Sequence, residues 1–473
     1  MDKLFTILPP VVRYTGVEIA LPEGEAIDIL RGVTVVVGPN GAGKSSLARI
    51  IRSGRNFMTN RITAHVSSPV VTIMEFSDIH SLSGFKAEYY QQRYEATMND
   101  EVPTVAELLG DRLSLDRWHV LSALFGIESL PAKRVNYLSS GELRKLLLAN
   151  ALLDSPTMLV LDNPYIGLDP SGRRAVDTAL QSVAAEGVTS LMLLIPDPAD
   201  IPEWADSVIV MDRCRILPPG TDPAPLFDYS VDTSAVPAPA GERRHEGEGE
   251  VFSFDACPVT SAGRLLIPSV TWSVRQGECW ALSGPNGCGK STLLSLIHAD
   301  NPQAYARPVS IFGSRRGTGE SIWDIKRLIG YISPEMHLYF NGAHNRVVDV
   351  VAQGLNDTTG MFRRISPEQT ELAMRWLRLF GLEALAERRL NTLSAGEQRL
   401  ALLARTLIKN PRLLILDEPL HGLDSARKAA AIAVVDTLCR RDRSSLVFVT
   451  HNPDELPPCV THRYTLSRFS EQE

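Results

Sequence analysis

The stretch Gly38-Pro-Asn-Gly-Ala-Gly-Lys44-Ser45, directly behind the apolar run Val33–Val37, decides how this chain is read, because it returns as Gly284-Pro-Asn-Gly-Cys-Gly-Lys290-Ser291. Two further segments recur in the same order. Leu138-Ser-Ser-Gly-Glu142 reappears as Leu393-Ser-Ala-Gly-Glu397, and Met158-Leu-Val-Leu-Asp162 as Leu413-Leu-Ile-Leu-Asp417. In both copies 23 residues separate the serine (Ser139, Ser394) from the aspartate. So long a period marks a duplicated domain rather than a solenoid repeat, which suits a chain of 473 residues. Between the copies, 217–250 carries six prolines and then Gly-Glu-Arg-Arg-His-Glu-Gly-Glu-Gly-Glu. That composition predicts an extended, solvated linker between domains at 1–216 and 251–473.

Within each copy, short apolar runs alternate with helical patterns. Val33–Val37 and Leu159–Leu161 read as strands buried on both faces, and Lys44–Ser53 and Glu142–Leu153 as helices between them. The class is α/β. The glycine pattern G-x-x-x-x-G-K-S behind a strand is a phosphate-binding loop. Its glycines let backbone N–H groups approach an anion, and the following helix directs its positive end at it. One such match could be an accidental turn; two in register exclude that reading. The expected cradles are Gly38, Pro39, Asn40, Gly41, Ala42 and Gly43 leading to Lys44, Ser45 and Ser46, and Gly284, Pro285, Asn286, Gly287, Cys288 and Gly289 leading to Lys290, Ser291 and Thr292. Lys44 and Lys290 would reach the β- and γ-phosphates of ATP, and Ser45 and Ser291 a Mg2+ ion. Asp162 and Asp417 end strands, where a carboxylate can hold the same ion through water. Cys288, at a helix N-terminus beside Lys290, reads as a reactive thiol that a bulky reagent would modify.

These motifs resemble those of ABC-type ATPases with two nucleotide-binding domains in one chain. Leu-Ser-Ser-Gly-Glu and Leu-Ser-Ala-Gly-Glu match the family signature, and Gly167-Leu168-Asp169 and Gly422-Leu423-Asp424 its D-loop. The resemblance covers nearly the whole chain except the linker. A closer one, to tandem ATPases associated with molybdenum transport, rests on Thr292 to Leu296, on 311–333, on Leu400–Ile408 and on Thr450-His451. It implies two tandem P-loop NTPase domains, each with a helical signature subdomain, that pair head to tail. Lys44 and Asp162 would then work with Ser394 and Gly396, and Lys290 and Asp417 with Ser139 and Gly141. By the same resemblance Glu418 is the general base and His451 the γ-phosphate sensor.

The first half departs from this pattern. Asn163 stands behind Asp162, and the spacing that reaches His451 from Asp417 reaches Pro196 from Asp162. An amide cannot accept a proton, and loss of a general base costs about 10²–10⁴-fold in rate, so the second site is expected to hydrolyse and the first mainly to bind. Neither half shows the family's Q-loop glutamine: Glu75–Asp78 and Pro334-Glu335 stand there. Tyr14 in the first half, and Phe254 or Ser261 in the second, are the candidates for the adenine platform.

Composition narrows the setting. A net charge of −7 argues against a nucleic-acid partner, and no apolar run approaches the roughly 18 residues that span a bilayer. The start, with Asp2 and Pro9-Pro10, does not read as a secretory signal. The six cysteines form no C-x-x-C pair and no zinc spacing, which predicts reduced thiols in a cytosol. The expected location is cytoplasmic, peripheral on the inner face of the membrane. The expected partners are transmembrane permease subunits, since this sequence supplies none. The rival is a soluble ABC ATPase with a regulatory, ribosomal or repair role. A short Pro-rich linker and the absence of a long heptad insertion count against the last two.

Overall fold

The computed structural model describes residues 2–14, 17–22, 24–53, 62–75, 103–135, 138, 140–166, 168, 170–228, 230–238, 249–261, 264–285, 288–298, 301–319, 321–333, 336, 340, 344–356, 364–467 and 469. They form two compact units, divided after Asp228.

In the first unit, five parallel strands run in the order Ser207–Asp212, Val33–Val37, Ser190–Ile195, Met158–Asp162, Val71–Glu75. Short strands at Val11–Tyr14, Val17–Ala20 and Arg215–Ile216 extend the sheet past Ser207–Asp212. A separate antiparallel sheet orders Ile27–Leu30, Lys3–Ile7 and Ile62–Ala64. Val33–Val37 lies in the middle of the main sheet with every residue buried, as a run of β-branched side chains with no polar alternation requires. The helical part comprises Val105–Leu109, Asp116–Phe125 and Ser140–Leu153, packed through Val105, Leu121, Phe125 and Leu148 into the core under the sheet.

The second unit repeats this plan. Its parallel sheet orders Ile329–Ile332, Leu413–Asp417, Ser445–Val449, Cys279–Ser283 and His462–Thr465. The antiparallel sheet is built on the long hairpin Glu250–Ser261 and Arg264–Arg275. The helical part, Val347–Ala352, Pro367–Leu379 and Ala395–Leu407, shares one apolar core with the sheet. Fully burying a Leu, Val or Phe side chain contributes about 1.5–3 kcal/mol, so these cores hold the phosphate loops to fixed strands and helices.

The expected strands and helices are present: Lys44–Ser53 has the anticipated bounds, and the run expected over Glu142–Leu153 is the helix Ser140–Leu153. The linker differs from expectation. Its first part belongs to the first unit, where Leu217, Leu226 and Phe227 pack on the core. Val231 and Val236 pack on the core of the second, and Arg441 donates from Nη1 to Val236 O (2.9 Å) and from Nη2 to Pro237 O (2.9 Å). Proline fixes φ at values that suit short 3-10 turns, such as Ala224–Phe227, and these turns deliver the few apolar side chains to each unit. The charged run 239–248 lies outside the described residues.

Candidate functional site

Each phosphate loop joins a central buried strand to a helix that starts at its lysine. Lys44 Nζ donates to Gly38 O (2.6 Å) and Pro39 O (3.0 Å), and Lys290 Nζ to Gly284 O (2.7 Å) and Pro285 O (3.1 Å). The ammonium groups thus fold back across their own loops. A Cβ on Gly38 would collide with the Met211 carbonyl, and one on Gly284 with the Leu466 carbonyl. Gly43 and Gly289 hold φ of 96° and 97°, which glycine adopts without strain. Ser45 Oγ donates to Asp162 Oδ2 (2.5 Å) and Ser291 Oγ to Asp417 Oδ2 (2.9 Å). A hydroxyl and a carboxylate meet beside a buried ammonium and a helix N-terminus. Such a donor set fits a phosphate with a hard divalent cation. Asn286 and Gly287 lie outside the described residues.

The parallel ladders set the register of the residues behind each aspartate. Asp162 stands opposite Leu194 and Asp417 opposite Val449. Pro196 and His451, each two residues further on, are therefore register equivalents. Asn163 N donates to Leu194 O (2.9 Å) and Glu418 N to Val449 O (3.0 Å). Both residues sit in the left-handed region, with φ of 53° and 47°. That conformation suits Asn and is costly for Glu, by about 1–3 kcal/mol.

At Glu418 a polar cluster assembles. His451 Nε2 lies 3.0 Å from Glu418 Oε1, and His421 Nδ1 lies 3.8 Å from Glu418 Oε2. Burial pushes the Glu418 carboxyl up. The close approach of His451 and the positive fields of His421, His451 and Lys290 outweigh it and hold the carboxyl below its ordinary range. Thr450 Oγ1 donates to Glu455 Oε2 (2.8 Å), which fixes the turn that carries His451, and Lys428 Nζ lies 2.9 Å from Glu455 Oε1. The first half has Ile166 where the second has His421. Nearby it builds a different network: Tyr165 Oη donates to Asp177 Oδ1 (2.8 Å), Trp204 Nε1 to the same oxygen (3.2 Å), and Arg173 lies over the Tyr165 ring at 4.7 Å.

Ser394 caps the helix Ala395–Leu407 through a capping box: Glu397 N donates to Ser394 Oγ (3.4 Å) and Ser394 N to Glu397 Oε2 (2.8 Å). Gly396 is buried in its first turn. Ser139, and the side-chain surroundings of Gly141, lie outside the described residues.

The sequence reading missed two buried arginines, each five residues after a signature serine. Arg399 Nη1 donates to Glu418 O (3.3 Å) and His421 O (3.1 Å), and Arg144 Nη1 donates to Pro164 O (3.1 Å). They tie the signature helix to the turn behind the aspartate. Desolvation lowers Arg399 to about 10 despite the opposing fields of Glu418 and Asp417. Their shared offset from the signature was the available signal.

Two expectations fail. Phe254 is 2% exposed and edge-on to Phe252, with centroids 5.8 Å apart, so it belongs to the core and not to an adenine platform. Tyr14 and Ser261 close their strands, with side chains outside the described residues. Cys288 is 2% exposed, packed in the core with Ile267 and Leu466, so the structure does not present its sulfur to a bulky reagent. Of the Q-loop positions, Glu75 ends its strand opposite Asp162; residues 76–78, Pro334 and Glu335 lie outside the described residues.

Two phosphate loops on duplicated α/β units, each with a signature helix, define a tandem nucleotide-binding ATPase. The ABC transporter family profile matches residues 23–166 and 267–421, and the chain belongs to that family of ATP-binding, ATP-hydrolysing proteins. It is 35% identical over 453 residues to the ABC transporter ATP-binding protein ModF of Escherichia coli (strain K12), covering 90% of this chain and 89% of that one. It is 28% identical to an uncharacterized ABC transporter ATP-binding protein of Schizosaccharomyces pombe, over 90% of this chain and 91% of the relative. Its fold is similar to that of an archaeal ribosome recycling factor in complex with a ribosomal stalk protein, with a TM-score of 0.52 at 18% identity, covering 96% of this chain and 86% of that one. Among the described residues no helix is long and apolar enough to cross a membrane.

Proposed function

We propose that the chain binds two ATP molecules and hydrolyses mainly the one held by Lys290, Ser291 and Asp417. The observation that carries this reading is the pairing of Glu418 with His451 at 3.0 Å, against Asn163 and Pro196 in the same register of the first half. Mg2+, when bound, would offset charge on the phosphates, and Ser45 with Asp162 and Ser291 with Asp417 are the groups that would hold it. Lys44 and Lys290 leave their loop carbonyls for phosphate oxygens. The Glu418 carboxylate, kept ionised by its surroundings, orients water and accepts its proton; His451 holds that carboxylate in place and senses the γ-phosphate. The signatures at Ser139 and Gly141 and at Ser394 and Gly396 each serve the opposite half's loop, as the family resemblance implies. The test is steady-state turnover and bound nucleotide counted together for Glu418→Gln. Two nucleotides bound with almost no turnover support the reading; turnover near that of the wild type overturns it.

The work of hydrolysis is passed to transmembrane permease subunits of a transporter, from the cytoplasmic face of the membrane. What supports this is the kinship with ModF at 35% identity along nearly the whole of both chains. The resemblance to molybdenum-associated ATPases makes molybdate the solute to test first. Capture of partners by the tagged full chain from membranes, compared with ribosomes, decides between this role and a soluble one.

A further inference from the structure

Three of the six cysteines, far apart in sequence, meet in the second unit. The Sγ atoms of Cys279, Cys439 and Cys459 all lie within 4.8 Å of one another, with Cys279 and Cys439 buried and Cys459 partly open. Cys279 opens the strand Cys279–Ser283, Cys439 lies in the last turns of the helix Ser425–Asp442, and Cys459 comes after the turn Pro453–Glu455. We propose that these three thiols form a binding site for one thiophilic metal ion of the zinc class.

The geometry suits such an ion. Thiolates about 2.3 Å from a tetrahedral zinc lie roughly 3.8 Å from one another, so closure needs a movement of about an ångström or less. The neighbouring S–H groups of Cys439 and Cys459 lower the Cys279 thiol, while their contacts with Cys279 raise those of Cys439 and Cys459. Binding replaces the thiol protons with the ion and releases them to solvent. Cys459 is the side from which an ion enters. Asp436, one helical turn before Cys439, has a buried Oδ1 with no hydrogen-bond partner. Its negative charge raises the Cys279 and Cys459 thiols and so opposes their ionisation until a cation is bound; its Oδ1 would accept from a water in the fourth position. Arg440, which donates to Asp436 Oδ2 at 2.8 Å, offsets the negative charge.

The first half shows what a site without this role looks like. Register with the phosphate loops and with the two aspartates matches the three cysteines to Val33, Ala184 and Trp204. Val33 lies in the apolar core, and Ala184 and Trp204 are partly buried and pack against it. Three thiols in the place of a Val, an Ala and a Trp make a poorer apolar filling but a complete set of soft ligands. The ion would sit at the end of the Cys279–Ser283 strand opposite Gly284, roughly 15 Å from the phosphates. It would join the strand that leads to the phosphate loop, the helix behind the D-loop and the segment that descends from His451.

The test uses the full chain, reduced and stripped of metal, titrated with Co2+ as a spectroscopic probe and with Zn2+ in competition with a chromophoric chelator. One equivalent should bind, with thiolate-to-cobalt charge-transfer absorption. Zn2+ should protect Cys459 from alkylation, read by peptide mass spectrometry, while Cys214 continues to react. Cys279→Ser, Cys439→Ser and Cys459→Ser should each weaken binding by more than the ~10–100-fold that loss of a supporting hydrogen bond to a ligand costs, and Cys257→Ala should leave it unchanged. Absence of the absorption and of protection in the wild-type chain overturns the proposal, whether or not the serine variants fold. Affinity that survives in well-folded serine variants overturns it too. So does a disulfide between two of the three in protein kept under reducing conditions.

Discussion

Asn163 and Glu418 occupy the same backbone position, with the same left-handed φ and the same N–H bond to the neighbouring strand, yet only one side chain can take a proton. The two halves share the geometry of this turn and differ in its chemistry. Its asparagine tolerates the left-handed conformation; the glutamate of the second half is held there against its preference by the surrounding structure. Strain retained where a carboxylate stands, and relieved where it has gone, is the pattern expected when the carboxylate has a task.

The comparison breaks most sharply at Glu418. Glu418→Gln should lower turnover by about 10²–10⁴-fold while two nucleotides remain bound. A residual rate above about a tenth of wild type would show that the first half hydrolyses after all. His451→Ala should cost about tenfold, as for one lost hydrogen bond in the reaction, and should also move the pH profile. Burial raises the Glu418 carboxyl and its positive neighbours lower it by more; without His451 the opposition weakens and the pKa rises. The carboxylate then protonates at a higher pH, so the acid limb of the rate profile shifts upward. An unmoved limb would mean that His451 does not set the state of Glu418. Lys44→Ala should release one of the two nucleotides and slow the cycle only a few-fold, whereas Lys290→Ala should stop it, since charge at the phosphates is the main source of catalysis in phosphoryl transfer. Building the missing groups into the first half, as Asn163→Glu with Pro196→His, should at most about double the steady-state rate by adding a second working site. The smallest effect concerns stability: Ser394→Ala removes the capping box and should cost about 1 kcal/mol in denaturant unfolding.

The duplication, the α/β class, both phosphate loops and the unequal residues behind the two aspartates are legible along the chain alone. These are local facts. A glycine pattern, a buried apolar run and a capping serine act on their own stretch of backbone, so spacing reveals them. Contacts between side chains from distant segments exist only once the chain is folded. Folding brings His421 and His451 onto opposite oxygens of Glu418, draws Arg399 beneath the same turn, and sends Phe254 and Cys288 into the core. It lays Pro-rich residues on both units where composition predicted solvent. It also gathers three cysteines whose spacing suggested no site. Proximity between segments comes from sheet order and helix packing, and the parallel crossovers that set that order join strands remote in sequence. For that reason a linear pattern is silent about Cys279, Cys439 and Cys459 even though each is in plain view.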